Sequence, residues 1–337
     1  MASTAPSPDP GLDLVTRLPR RMQIDERWML RRPRGFTWWG HELAQRVWLD
    51  PVEDYHGTPV ARLHIETDLL TDVPDPAKAI DALVALNRAA SLSSLAADAE
   101  GRVRLHASLT VTPDNLTLAG SLALHAIAIQ AADAHIKAAP LAGHLGARVA
   151  RSAHPSHGPR PDPDDLLDAL AFYADKGAGA SPYADLDFRA MALMQPRPWV
   201  LARTAGDGLD VELPFLGSRP SVLDGTGAAA PETALLQVRA SHRHAQLGTG
   251  LLLRLALPVR AGAAVANQLN LAEALRPEGH QLGAWTIDQQ NLACYTVVPA
   301  VAFADDLVET LIWHVAARAL WARAQLFPPT PPTPSAG

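Results

Sequence analysis

GTPVARL at residues 57–63 and GTGLLLRL at residues 248–255 decide how the fold of this chain is understood. Each stretch begins with a Gly-Thr pair and continues into aliphatic residues, a pattern typical of the return strand of a β-hairpin. The matching outgoing strands are ELAQRV at residues 42–47 and ALLQVR at residues 234–239. The sequence therefore predicts a hairpin of the same kind in each half of the chain.

The order of elements around the two hairpins is also the same. A short strand comes before each hairpin, and a helix with a Leu-Asn pair, a further strand and a long helix follow it. In the first half these are residues 28–32, 74–94, 103–112 and 116–138. In the second half they are residues 199–203, 261–275, 292–299 and 304–326. We therefore predict an α+β fold of two tandem units, each an antiparallel sheet packed by helices in the order β-β-β-α-β-α, related by a pseudo-twofold duplication.

Proline-rich and glycine-rich stretches set the predicted boundaries of these units. Residues 1–11 and the proline-rich residues 328–337 are predicted to be disordered tails. Residues 150–165, which include RSAHPSHGPRPDPDD, have the composition of an exposed linker. The two units then extend over residues 12–149 and 166–327.

Composition limits the classes of partner that we expect. The 337 residues carry a net charge of -6 and form no basic stripe, so we expect no nucleic-acid partner. The single cysteine, Cys294, excludes an internal disulfide and a cysteine-based metal cluster. The N-terminus lacks the pattern of a signal peptide, and no stretch approaches ~20 uninterrupted apolar residues. We therefore expect a cytoplasmic protein that does not span a membrane.

Histidines were the first candidates for catalytic chemistry. His242 and His244 would lie on one face of a strand and could bind a metal, but no third ligand presents itself. The zinc-deaminase motif begins with H-x-E, as in His64-Ile65-Glu66, yet its P-C-x-x-C part is absent. His125 and His314 occupy matching places in the two long helices, where a buried, hydrogen-bonded role is the simpler interpretation. The sequence therefore predicts no catalytic, cofactor or metal site.

Tryptophans crowd into the start of the first unit and suggest a surface for binding protein. Because neighbouring residues of a strand point to opposite faces, Trp38 and Trp39 cannot both enter one core. Trp39 then faces solvent, the other sheet or a partner, unless the N-terminal helix (residues 12–22) or the other unit covers it. Trp38, Trp39 and Trp48 are our candidate protein-binding residues.

The order of elements resembles the type III secretion chaperone-like fold, which is shared with YbjN-like proteins. The resemblance covers most of residues 28–138 and 199–326. It depends on patterns in the two halves, namely Leu86-Asn87, the strand RLHASL at 104–109, the helix 122–138, Leu269-Asn270, the strand 292–298 and the helix 307–323. It implies the binding of a client polypeptide through a sheet surface or helical groove, without catalysis. Two fused copies would resemble a dimer made covalent.

Three functional hypotheses follow. The leading one is a non-enzymatic chaperone or adaptor for a client protein or peptide, such as a secreted or toxin-system protein. Such a chain would be a monomer acting as a pseudo-dimer, or a homodimer. The second is a metal-dependent hydrolase that uses His242 and His244. The third is a sensing module that holds a small molecule between its two halves.

Overall fold

A computed structural model of the chain describes residues 9–193, 201–216, 232–275, 279–304 and 307–328. Most of the two predicted tails lies outside these ranges, as do Trp199 and Val200 of a predicted strand.

The described residues form two antiparallel sheets and the helices that cover them. The helices are α1 (Leu12–Arg21), α2 (Pro76–Leu86), α3 (Leu116–Leu145), α4 (Ala169–Lys176), α5 (Phe188–Leu193), α6 (Ala263–Glu273) and α7 (Leu307–Leu326). The strands of the first half are β1 (Met29–Arg32), β2 (Gly35–Trp39), β3 (Ala44–Leu49), β4 (Glu53–Tyr55), β5 (Thr58–Thr71), β6 (Ser94–Ala97), β7 (Val103–Val111) and β8 (Arg148–Val149). Those of the second half are β9 (Leu201–Ala205), β10 (Gly208–Leu216), β11 (Glu232–His244), β12 (Gly248–Arg260), β13 (Ala284–Asp288) and β14 (Asn291–Pro299). The predicted α+β class with antiparallel sheets is confirmed.

The two sheets have the same strand order. The first is β1-β2-β3-β5-β7-β6, with β4 and β8 paired to β5, and the second is β9-β10-β11-β12-β14-β13. Each half is therefore built as four strands, a helix, two strands and a long helix on this common path. The prediction of three strands before the first helix and one after it missed two strands in each half. In β6, for example, all four residues are buried, so no alternation of polar and apolar residues reveals the strand.

Alternation along β5 gives the first sheet one apolar and one polar face. Leu63 and Ile65 are fully buried in the core that includes residues of α3, whereas Arg62, His64 and Glu66 belong to the opposite face. The segment 113–145, which contains α3, is the one described helix that is long and apolar enough to cross a membrane. Since 61% of its most apolar window is buried inside the protein, α3 has the burial of a core helix.

Most of residues 150–165 are exposed, as their composition predicted, but several contacts hold this segment against the first sheet. The backbone N–H of Ser152 donates to the Glu42 carbonyl at 2.8 Å, and that of Asp164 donates to the Gly40 carbonyl at 2.8 Å. His154 is buried, with its ring edge-on to the Trp39 ring at 4.9 Å. Aromatic packing and backbone pairing thus hold a proline-rich segment in place without regular secondary structure.

The two Leu-Asn pairs perform the same task in the two halves. The amide of Asn87 donates to the Leu95 carbonyl at 2.9 Å and accepts from the Leu95 N–H at 3.0 Å. Asn270 makes the same two bonds to Trp285, at 3.0 and 2.8 Å. Each asparagine therefore pairs with one N–H and one C=O of an edge strand, β6 or β13. These backbone groups have no neighbouring strand of their own sheet to bond to.

We expect Asn87→Ala and Asn270→Ala to lower the free energy of unfolding by similar amounts, about 2–3 kcal/mol each, because each leaves a buried N–H and C=O unpaired. Urea unfolding followed by circular dichroism measures this. Asn291→Ala, at an exposed position, is the matched control and should stay within about 0.5 kcal/mol of the parent. A large effect of only one of the two buried variants would show that the two asparagines are not equivalent.

Candidate functional site

The second half of the chain covers part of the polar face of the first sheet. Ser108 on β7 and Gln281 exchange two backbone hydrogen bonds, at 3.0 and 2.8 Å. The guanidinium of Arg62 donates to the Ser108 hydroxyl at 2.6 Å and to the Glu273 carbonyl at the end of α6 at 3.1 Å. These buried polar contacts join the two halves where the first sheet would otherwise be open.

Beside this contact lies a cavity of about 480 Å³. One wall is the polar face of the first sheet, and the other is mainly the aliphatic side of α6 and the residues after it. Its lining residues are Trp48, Asp50, His64, Glu66, Ala96, Arg104, His106, Asn270, Leu271, Ala274 and Leu275.

Strand register explains why these polar side chains meet. His64 on β5 lies opposite Trp48 on β3 and opposite Ser108 on β7, and His106 lies opposite Glu66. The Trp48 and His64 rings are stacked, with centroids 4.8 Å apart and planes 12° from parallel. Side chains directly opposite or diagonal on one face of a sheet are within contact distance, so two histidines from different strands become neighbours.

A continuous chain of hydrogen bonds runs from the cavity to the other half of the protein. His64 Nε2 lies 2.6 Å from Asp50 Oδ2, and His64 Nδ1 lies 3.2 Å from His106 Nε2. His106 Nδ1 lies 2.8 Å from Gln281 Oε1, which belongs to the second half. We call these four residues the histidine chain.

Burial sets the protonation of the two imidazoles. Desolvation, with the nearby His64 as a second cause, lowers the pKa of His106 to about 3. Burial also lowers the pKa of His64 below its usual value, while the hydrogen bond and charge of Asp50 oppose that shift. The two histidines therefore differ, because only His64 has a carboxylate partner.

A row of ion pairs lies beside the histidine chain on the same face of the sheet. Glu66 accepts from Arg46 at 2.5 Å and from Arg104 at 3.3 Å, and Arg104 also donates to Asp98 at 2.6 Å. Both oxygens of Glu66 are thus occupied. Of the two carboxylates that line the cavity, Asp50 is the more available, since its side chain is 47% exposed.

The second sheet has different residues at the corresponding positions. Counting inward from the strands held by Asn87 and Asn270, the registers place Leu252 at the position of His64 and Tyr295 at that of His106. The pair of neighbouring histidines is therefore found in the first sheet and not at the matching positions of the second.

The three candidate tryptophans have separate places. Trp38 is fully buried in the core, and Trp39 is 4% exposed, with its indole N–H donating to the Ser152 hydroxyl at 3.1 Å. The expectation that these two side chains could face a partner is thus not met, because the segment after α3 covers Trp39. Trp48 remains partly exposed and lines the cavity.

Of the other histidines considered from the sequence, His242 lies half-buried on β11 opposite Gly250, and His244, His125 and His314 have hydrogen-bonded roles. His244 Nε2 lies 3.0 Å from the Ala89 carbonyl, and its Nδ1 accepts from the Gln246 N–H at 3.2 Å, so both ring nitrogens are occupied. His125 lies 2.7 Å from the Tyr173 hydroxyl, and His314 accepts from the His280 N–H at 3.4 Å. Within the described ranges, no three His, Cys, Asp or Glu side chains are grouped to hold a metal ion.

No family model, curated protein or solved structure matches this chain. Its function must therefore be argued from the geometry of the site.

One sequence signal could have revealed the site. The tripeptide Arg-Leu-His occurs at residues 62–64 and again at 104–106, in the strands that prove to be neighbours. Adjacent antiparallel strands with the same alternation place both histidines on one face. Asp50 and Gln281 gave no such signal, since a loop and the docking of the second half position them.

Proposed function

We propose that this protein binds a small molecule in the cavity between its two halves. The supporting observation is the cavity itself, whose volume of about 480 Å³ falls within the range typical of ligand sites. Its walls combine aliphatic side chains with a few polar groups in fixed positions, which is the usual composition of such sites.

The location of the cavity suits a sensing role. Its polar wall belongs to the first half, whereas Asn270 and Leu271 on α6, and Ala274 at the C-terminal cap of that helix, belong to the second half. A ligand held there contacts both halves, so its binding energy stabilises their association. Binding can thus change how firmly the halves are held together, which is what a sensor requires.

A thermal-shift screen against metabolites tests this function. We expect some compounds to raise the melting temperature of the parent protein, because a ligand that binds only the folded state stabilises it. Ala274→Trp, which places a large side chain in the cavity, should abolish these shifts. Ala264→Trp, at an exposed position of the same helix, should retain them. An empty screen, or shifts that persist in Ala274→Trp, would contradict the proposal.

A second candidate function is the binding of a client polypeptide, as the resemblance to secretion chaperones implies. The observation that favours it is the identical strand order of the two sheets, with α2 of one half packed on α6 of the other. We take this arrangement as support for a duplicated chain that acts as a covalent dimer. A tagged protein purified from its own cells should then retain one polypeptide in a fixed ratio through gel filtration. A chain that elutes alone would count against this function.

A further inference from the structure

The three hydrogen bonds of the histidine chain need three protons, one more than two neutral imidazoles carry. The orientation of the Gln281 amide is set by its nitrogen, which donates to the Asn270 carbonyl at 3.1 Å. Its oxygen therefore faces His106 Nδ1, which must carry a proton to donate. His106 is neutral at ordinary pH, so its Nε2 is an acceptor and His64 Nδ1 must donate to it.

The remaining contact, between His64 Nε2 and Asp50, then requires a second proton on His64 or a proton on Asp50. A carboxylate has only acceptors, and a neutral imidazole that donates through Nδ1 has only a lone pair at Nε2. A hydrogen bond at this 2.6 Å contact therefore requires the proton-bearing form of the Asp50–His64 pair. Removing that proton leaves two acceptors facing each other.

The contact that breaks on deprotonation is the one at Asp50. The Asp50 side chain is 47% exposed and can be solvated, whereas His64 is 6% exposed at its side chain and His106 is buried. The charged groups that face the pair from the first sheet are Arg62, Glu66 and Arg104. The charged residue of α6 is Glu273, and its carboxylate binds Arg318. Deprotonation of the histidine chain therefore leaves the Asp50 carboxylate at the cavity wall without its hydrogen bond to His64.

The cavity around that carboxylate suits a ligand with a positive charge and an apolar body. Glu66 and Arg104 are bonded to each other, whereas Asp50 has no ion pair with an arginine or lysine among the described residues. Arg34, which donates to the backbone carbonyl of Asp50, forms its ion pair with Asp9. Among the described residues, the Asp50 side chain makes one hydrogen bond, from Oδ2 to His64. Leu271 and Leu275 offer aliphatic surface on the facing wall, and Trp48 offers an aromatic ring to a cation.

We propose that the cavity binds an organic cation, an ammonium or amidinium group on an apolar body, which replaces the proton held between Asp50 and His64. This inference rests on the proposed ligand-binding function and names its ligand class and its regulation. The exchange balances: the cation pairs with Asp50, and one proton passes from the pair to solvent. Binding therefore strengthens as pH rises and weakens as the pair becomes protonated.

Three probes of one shape test the ligand class. Benzamidine is a cation, benzamide is neutral and benzoate is an anion, and all three are planar rings of similar size. Isothermal titration calorimetry should detect benzamidine at about pH 8, with little binding of the other two. As His64 becomes protonated at lower pH, the affinity should fall by up to about tenfold per pH unit, with up to about one proton released per ligand bound.

Substitutions at Asp50 and His64 test the role of the carboxylate and the role of the exchanged proton separately. Asp50→Asn should lose most of the affinity for benzamidine, whereas Asp81→Asn, an exposed carboxylate on α2, should retain it. His64→Gln removes the site of the exchanged proton, so whatever affinity for benzamidine this variant keeps should no longer depend on pH. Circular dichroism confirms that each variant is folded.

The outcomes distinguish this inference from the function on which it rests. Binding of benzoate in preference to benzamidine, pH-independent binding, or full affinity in Asp50→Asn would overturn the cation class while leaving a ligand site in place. Failure of benzamidine to bind at millimolar concentration also overturns it. If the metabolite screen is empty as well, the proposed function fails with it.

Discussion

Replacing Glu273 by glutamine is expected to lower the free energy of unfolding by about 3–5 kcal/mol, the largest single effect that we foresee. Glu273 Oε2 accepts from Arg318 Nη2 at 2.6 Å and from the Trp285 indole N–H at 2.9 Å. Both side chains of the ion pair are 1% exposed. Glutamine removes the negative charge and leaves a buried guanidinium without its counter-charge.

A double variant separates the cost of an unpaired charge from the value of the pair. Glu273→Leu combined with Arg318→Met removes both charges and should recover much of the stability that Glu273→Gln loses, because the desolvation cost of the ions also disappears. Denaturant unfolding compares the three proteins. Asp13→Asn, which breaks the exposed pair with Arg17, is the control and should change stability by less than about 1 kcal/mol. A double variant as unstable as the single one would contradict this account.

Mild acid is expected to destabilise the protein before its carboxylates titrate. Burial lowers the pKa of His106 to about 3 and that of His125 to about 4. The unfolded chain takes up protons at these positions near pH 6.5, while the folded chain does not, so stability falls as pH falls below 6.5. Each histidine contributes about 1.4 kcal/mol per pH unit, so the two remove roughly 5 kcal/mol over about two pH units.

Unfolding measured at a series of pH values checks this slope. His125→Gln should reduce it by about 1.4 kcal/mol per pH unit, since glutamine does not titrate. Tyr173→Phe removes the hydroxyl that lies 2.7 Å from His125 but keeps the imidazole. It should therefore lower stability at every pH while preserving the slope. Equal slopes for the parent and His125→Gln would show that His125 is already charged in the folded protein.

Local patterns in the sequence were enough to find the elements with strong periodicity or turn signals. The hairpins that return at Gly57 and Gly248, the helices with Asn87 and Asn270 and the long closing helix of each half were all predicted. Of the strands on the common path, β2, β6, β10 and β13 were missed. The strands β2, β6 and β13 have five residues or fewer and lack a usable repeat, whereas the nine-residue β10 alternates and was overlooked. The duplication and the resemblance to secretion chaperones both remain predictions.

The candidate site was far less accessible to sequence analysis. His64 and His106 are 42 residues apart, and His106 and Gln281 are 175 apart. The repeated Arg-Leu-His tripeptide links the two histidines, but no local pattern links them to Asp50 or Gln281. Even the tryptophans, which stood out in the sequence, changed meaning in the fold, because the segment after α3 covers Trp39 while Trp48 reaches the cavity.

The sequence by itself determined the class of the fold, the order of its main elements and the alternation that gives β5 one apolar and one polar face. These properties depend on neighbours within a few residues, so the chain records them directly. Only the tertiary structure decided that α6 would cover part of the polar face, leaving a cavity where Asp50 and His64 lie 2.6 Å apart. Burial and charge compensation belong to surfaces that meet, and which surfaces meet is settled only when the two halves pack together.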